Sequence, residues 1–334
     1  LPTRRCLITG ATGFIGGRLG RALAMRGWDV TALARATSDR SALDGAKVRW
    51  IVGDVTNPAG LAEAVRGRDV VFHCAGLTKA LDVAALNRVN GEGTRNLLEA
   101  CAAASPPPGR IIVLSSQAAA GPSLPDGRPR AESDPAEPVS DYGRSKRAGE
   151  EWVERLRERL PIVLLRPSAV YGPSERDFFT LFQAVRKSGL LVEAGLHPLL
   201  FQAIYGDDLV EAMRLAAETE AGRVVGRTFF LAHPRPWASD DFGREIGRAV
   251  GRERIRVVRI PLAVAHIAAG VSEAVARLRG KPTIVSRDKL RELACGSWTC
   301  RTDAFREAVG FDPPHDAPEG LRLTAQWYRD TGWL

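Results

Sequence analysis

Two side chains one helical turn apart carry the first chemical possibility in this chain. In Tyr142-Gly143-Arg144-Ser145-Lys146 a phenol and an ammonium stand at i and i+4, positions that share a helix face. The ammonium is expected to stabilise the phenolate and draw the tyrosine pKa from about 10 toward neutrality. Such a phenol can give a proton to a developing alkoxide, or take one in reverse. The same spacing also describes an exposed tyrosine and lysine on a solvated helix. Its place in the chain gives it weight, because it follows an apolar run, Arg110 to Leu114, that delivers Ser115-Ser116.

The chain opens on a second motif, Thr9-Gly10-Ala11-Thr12-Gly13-Phe14-Ile15-Gly16. Cys6 to Ile8 reads as a buried strand, and Ile15, Leu19, Ala22 and Leu23 then repeat with helical period. Glycines between strand and helix allow a tight turn and let a pyrophosphate approach the free N–H groups of the helix N-terminus. The spacing is G-x-x-G-x-x-G, not the general G-x-G-x-x-G fingerprint, and an ordinary turn is the bland alternative. The next strand, Trp28 to Ala34, ends in Arg35, with Thr37, Ser38 and Arg40 behind it. A carboxylate there would bind the ribose hydroxyl of NAD, whereas an arginine accommodates the 2′-phosphate of NADP. Arg35 therefore favours NADP, with NAD as the alternative and a merely solvent-facing arginine as the bland reading.

The elements that must position these groups alternate. Further strands are expected at Val48–Val52, Val70–Phe72, Arg110–Leu114 and Ile162–Leu165, with helices near Ala84–Ala104 and Tyr142–Leu160. That alternation predicts an α/β fold with a parallel sheet covered on both faces. Past Pro167 the pattern loosens: helices are expected at Phe178–Ser188 and Ser239–Val250, and one more strand at Arg227–Leu231. Residues 121–140, rich in Pro, Asp and Ser, read as a loop. The apolar helix Pro261–Leu278 is too short for a membrane span and contains Glu273. It is expected to be a core helix, or more sharply a lid or wall over an apolar substrate.

The bulk numbers narrow the classes. The chain has 334 residues, with 47 Lys+Arg against 39 Asp+Glu, giving a net charge of +8. The basic residues are scattered, so a solvated surface is expected and not a nucleic-acid stripe. Five cysteines without repeated spacing argue against a disulfide framework, and Cys295-x4-Cys300 lacks partner ligands, so no metal is expected. With no signal peptide and no apolar run of eighteen residues, a cytoplasmic protein without stable membrane insertion is expected.

Taken together, the motifs resemble those of extended short-chain dehydrogenase/reductases, the epimerase/dehydratase superfamily, over nearly the whole chain. The matching pieces are Thr9 to Gly16, Gly53-Asp54-Val55, Asn90-Gly91-Glu92-Gly93-Thr94, Ser115-Ser116, Tyr142-x-x-x-Lys146 and Arg166-Pro167-Ser168-Ala169-Val170-Tyr171-Gly172-Pro173. The resemblance implies a doubly wound Rossmann domain over 1–166, with returning segments near 201–232. A smaller, mostly helical substrate-binding domain would comprise 167–200 and 233–334. It implies Tyr142 as acid/base, Lys146 on the nicotinamide ribose, Ser116 (before Ser115) on the substrate oxygen, and Asn90 beside a proton-relay water. Gly10, Thr12, Gly13, Phe14, Ile15 and Gly16 would cradle the dinucleotide. Asp54 and Val55 would contact adenine, Ala75 and Gly76 would line the cofactor, and Pro167, Ser168 and Val170 would meet the carboxamide. A homodimer packed through the helices of Asn90–Thr94 and Tyr142–Lys146 is also implied.

Two departures bear on substrate. Nucleotide-sugar members carry Asn where this chain has Ala169, and often an arginine where it has Phe201. Losing both phosphate ligands is costly, since charge-assisted hydrogen bonds are the strong ones. Phe178, Phe179 and Phe201 suit an apolar substrate better, although Arg176, Arg186 and Lys187 could still grip phosphate. The branch most resembled is that of 3β-hydroxysteroid dehydrogenases and dihydroflavonol reductases. The expected activity is NADP(H)-dependent reduction of an apolar ketone or aldehyde, or oxidation of a secondary alcohol. The alternative is a nucleotide-sugar epimerase or dehydratase, and a third reading is a cofactor-binding protein without turnover.

Overall fold

The computed structural model describes residues 3–334. Seven strands form one parallel sheet: β1 (Arg5–Thr9), β2 (Asp29–Ala34), β3 (Val48–Val52), β4 (Val70–His73), β5 (Arg110–Leu114), β6 (Ile162–Pro167) and β7 (Thr228–Leu231). Their spatial order is β7-β6-β5-β4-β1-β2-β3. Chain direction across the sheet reverses between β1 and β4, and the crevice outside the carboxyl ends of such neighbours is where α/β sheets bind ligands.

Strand alternation divides the core in two. Ile8, Phe72, Ile112 and Val163 point to one face and pack with Leu19 of α1 (Phe14–Met25). Leu7, Val71, Ile111 and Val113 point to the other, against Leu97 of α2 (Gly93–Ala103) and Val153 of α3 (Asp141–Leu156). β5 and β6 are buried throughout, which explains their unbroken apolar runs. The returning helix α4 (Gly206–Glu218) packs Leu209 and Met213 into the first face.

Three expectations are refined. The helix expected over Ala84–Ala104 is Val83–Leu86, a π-helical turn Asn87–Glu92, and then α2. The turn carries Asn90, and such bulges concentrate at functional sites. Outside the seven-stranded sheet, residues 167–334 are mostly helical but also hold three short sheets. Leu190–Ala194 pairs with Arg256–Ile260, Ala169–Tyr171 with Ala203–Tyr205, and Leu200–Phe201 with both Trp237–Ala238 and Ser297–Trp298. Residues 121–140 form a loop, but a clamped one. Arg130 is buried and donates to the carbonyls of Pro122 (2.6 Å) and Pro135 (2.5 Å), while its backbone joins Thr299 and Arg301.

One expectation is overturned. The helix α5 (Leu262–Leu278) is no core helix: its buried positions are Ala265, Ala269 and Ala276, and its bulkier apolar residues face outward. Helical periodicity shows which residues share a face, not which face turns inward. A further short helix, α6 (Arg287–Leu293), follows it and supplies Leu290 to the small cluster beneath.

Candidate active site

The carboxyl edge of the sheet opens into a cleft of about 1980 Å³. That exceeds the range of small-ligand pockets and suits a dinucleotide together with a second molecule. One wall is the turn from β1 into α1. Gly10 has φ +70°, and a Cβ there would lie 2.6 Å from the Ala75 nitrogen. A Cβ on Gly16 would stand 2.2 Å from the Gly10 carbonyl oxygen. Both must be glycine for α1 to approach the strand ends so closely. No side chain caps α1, and Thr12, Gly13, Phe14, Ile15 and Gly16 line the cleft, so its N-terminal amides and dipole face the open space.

The opposite ledge holds Ser116, Tyr142 and Lys146, all lining the cleft. Ser116 ends the β5 segment and caps a short helix by accepting from Ala118 N–H at 3.1 Å. Ser115 is spent elsewhere, donating to the buried Glu150 carboxylate at 2.5 Å. Glu150 also accepts two hydrogen bonds from Arg166 (2.9 and 2.7 Å), tying α3 to β6. Gly143 lets α3 sit on the Ser116 turn, since a Cβ there would be 2.4 Å from the Ala118 carbonyl oxygen.

The electrostatics correct the expected tyrosine. Burial pushes the Tyr142 phenol up to about 12; the Ser116 hydroxyl pulls the other way and the Glu292 carboxylate adds to the rise. Desolvation outweighs any help from Lys146, whose ammonium donates to the Leu114 carbonyl at 2.7 Å. Burial in turn lowers Lys146 to about 8, with Glu150 and Cys74 opposing that fall. At neutral pH the pair is thus a protonated phenol beside an ammonium.

The Asn90 carboxamide is engaged by protein groups at both of its polar atoms. Its Oδ1 accepts from Leu77 N–H (2.9 Å), and its Nδ2 donates to the Leu77 carbonyl (2.9 Å) and to Ser145 Oγ (2.8 Å). It fastens the cleft-lining segment after β4 to α3. Behind it runs a chain that sequence reasoning missed. Thr94 donates to the Asn90 carbonyl (2.7 Å) and therefore accepts from His73 Nε2 (2.9 Å), which leaves Nδ1 to accept from Thr9 (2.8 Å). Thr9 accepts in turn from Ala75 N–H at 3.2 Å. Burial holds His73 neutral, with its pKa lowered to about 3.

The remaining expected residues divide. Gly76, Pro167, Ser168 and Val170 line the cleft; among the described residues Arg35, Asp54, Val55 and Ala75 do not. Arg35 is exposed at the end of β2, Asp54 accepts from Thr56 (2.9 Å), and Val55 is in the core. Phe178 and Phe201 line the cleft with Leu77, Leu81, Ile284 and Trp298, whereas Phe179 is packed against Tyr328 and Trp333 in the core. Arg176 lines the cleft; Arg186 and Lys187 lie outside it. Two carboxylates not foreseen steady the start of α3 from α6. Asp288 accepts from the backbone N–H of Asp141 (2.7 Å) and Tyr142 (3.3 Å), and Glu292 accepts from Ser140 Oγ (2.6 Å).

The site fits a nicotinamide dinucleotide. Besides the bare α1 terminus, Ser168 Oγ and Gln117 Nε2 are buried polar atoms on cleft-lining residues without a protein partner, placed to meet a polar ligand.

Comparison with known proteins agrees. The profile of the family described as "NAD dependent epimerase/dehydratase family" matches residues 6–232. A ceramide reductase of Caulobacter vibrioides is 31% identical over 332 residues, covering 98% of this chain and 95% of that protein. A 4-hydroxy-2-methyl-3-oxo-4-farnesyl-3,4-dihydroquinoline-1-oxide ketoreductase of Stigmatella aurantiaca is 29% identical, covering 82% and 81%. Among solved structures, that of gox2253 superposes with a TM-score of 0.81 at 27% identity, covering 99% of each chain. The dTDP-glucose 4,6-dehydratase DesIV of Streptomyces venezuelae, with NAD bound, shares the fold at a TM-score of 0.79, 22% identity and 98% coverage of each. The chain belongs to the NAD dependent epimerase/dehydratase family and is an NAD(P)-dependent oxidoreductase of the extended short-chain dehydrogenase/reductase type.

Proposed function

We propose that the protein is an NADP(H)-dependent reductase of an apolar ketone or aldehyde, able to oxidise the corresponding secondary alcohol in reverse. The observation that carries this reading is the meeting, in one cleft, of Ser116, Tyr142 and Lys146 with a wall of Leu77, Leu81, Phe178, Phe201, Ile284 and Trp298. The nicotinamide dinucleotide, when bound, would supply the hydride needed at the carbonyl carbon. Tyr142, held protonated by burial, gives its phenolic proton to the carbonyl oxygen, so the carbon–oxygen double bond becomes an alcohol. Ser116 orients that oxygen. Lys146, charged below about pH 8, stabilises the phenolate left behind and holds the ribose.

The ceramide reductase and ketoreductase relatives act on apolar molecules by their names, which supports the substrate class. Ala169 and Phe201, in place of a carboxamide and a guanidinium, count against a sugar nucleotide. The absence of a carboxylate at the end of β2, where Arg35 stands, supports NADP over NAD. The test is a panel of long-chain ketones and aldehydes with NADPH and with NADH, run on the wild type and Tyr142→Phe. The expected outcome is turnover preferring NADPH, reduced about 10²–10⁴-fold in the variant, with calorimetric NADPH affinity kept. Unchanged turnover in the variant removes the mechanism. Tight binding of UDP- or dTDP-sugars without carbonyl reduction replaces the function.

A further inference from the structure

The geometry points to α5 as an interfacial helix that docks the protein on an anionic phospholipid surface. An ordinary surface helix turns its apolar stripe inward and its charges outward. α5 does the opposite. Its inner side is Ala265 and Ala269, lying on Leu290 and its neighbours, and Ala276, which faces the cleft. Its outer side carries Val264, Ile267, Val271, Val275 and Leu278, spaced three and four apart over four turns, with Ile267 71% exposed and Leu278 88% exposed. No charged residue interrupts that stripe. Contiguous apolar surface of this kind marks an interaction site.

Charge names the partner. Arg277, Arg279 and Lys281 follow one another at the C-terminal end of the stripe, all exposed. The single acid between residues 261 and 284 is Glu273, turned toward the protein and accepting from Arg287 N–H at 2.7 Å. An apolar face rimmed by Lys and Arg is the pattern of helices that lie in the plane of an anionic membrane surface, sunk to the headgroup boundary. A second copy docked symmetrically on the same patch would add a second set of like charges to the interface. No helix of the described residues is long and apolar enough to cross a membrane, and the contact proposed is of this one face with the headgroup boundary.

The same helix borders the cleft, since Glu273, Ala276 and Arg277 line it. A substrate drawn from the bilayer would therefore enter beside α5; that clause rests on the reductase reading, whereas docking itself does not.

Cosedimentation of the full chain with vesicles tests it, using phosphatidylglycerol and phosphatidylcholine in equal parts against phosphatidylcholine alone. Binding is expected to the anionic vesicles and to fall at least tenfold on neutral ones. It should fall as far in Ile267→Glu/Val271→Glu and in Arg279→Glu/Lys281→Glu. Both variants should keep the wild-type melting temperature and their turnover of a water-soluble carbonyl. No binding by the wild type, or binding undiminished in both variants, overturns the proposal. So does light scattering that shows the Ile267→Glu/Val271→Glu variant breaking an oligomer. Vesicle binding without carbonyl reduction would retire the reductase reading and leave the docking intact.

Discussion

The ledge around Tyr142 and the lobe around α5 are built on opposite terms. On the ledge nearly every polar group is committed to another: Glu150 to Arg166 and Ser115, Asn90 to Leu77 and Ser145, His73 to two threonines. On α5 the inward contacts are alanine methyls and the bulkier apolar side chains face out. A buried network holds reacting groups in one geometry because each loss leaves a partner unsatisfied in low dielectric. A thinly packed helix with a bare apolar face does little for its own fold, and its residues are available to something outside. Precision sits on the sheet edge, and accessibility sits on the lobe.

Substitutions can break that contrast, beginning with the ledge. Glu150→Ala leaves Arg166 buried without its carboxylate, and the urea midpoint should fall by the equivalent of about 3–5 kcal/mol. Retention of full stability would mean that the ion pair does not join α3 to β6. The next effect is acid sensitivity from His73. It is neutral in the fold, with a pKa of about 3 against 6.5 unfolded, so the unfolded chain takes up the proton first. Stability should decline as pH drops from 6.5 toward 3, and the decline should be shallower in His73→Asn; equal slopes would remove the histidine from the account. Asp288→Ala deprives two α3 amides of their acceptor and should cost about 0.5–2 kcal/mol. It should lower kcat while leaving affinity for the nicotinamide cofactor unchanged, and a change confined to cofactor affinity would sever α6 from Tyr142. Last, Ile267→Ser on the outer face of α5 should alter stability by no more than about 0.5 kcal/mol. A larger loss by thermal melt would show that this face is packed after all.

What could be read from residues alone was local. The glycine turn, the Tyr142–Lys146 spacing and the parallel sheet are each encoded within a few consecutive residues or a regular period. Contacts between distant segments were illegible. Asp288 and Glu292 meet the start of α3 from 147 and 152 positions away, and the clamp on Arg130 joins residues 122, 135 and 299. Strands of two or three residues, such as Leu200–Phe201, are too short to show alternation. The direction of the Tyr142 shift was missed because spacing reveals the neighbouring ammonium but not the depth of burial. The inside-out orientation of α5 escaped for a related reason: small residues can face a protein as readily as large ones when the neighbour is close.

The grip of Asp288 on α3 also sets an order of events during synthesis. Domains form from the N-terminal side as the chain emerges, and the sheet is complete once β7 has been made, at Leu231. The acceptor for the Asp141 and Tyr142 amides has by then not been translated. A ribosome-stalled chain ending between β7 and α6 would hold all seven strands but neither Asp288 nor Phe305, which packs on Phe229 of β7, so the start of α3 and one face of the sheet are completed only by segments made later.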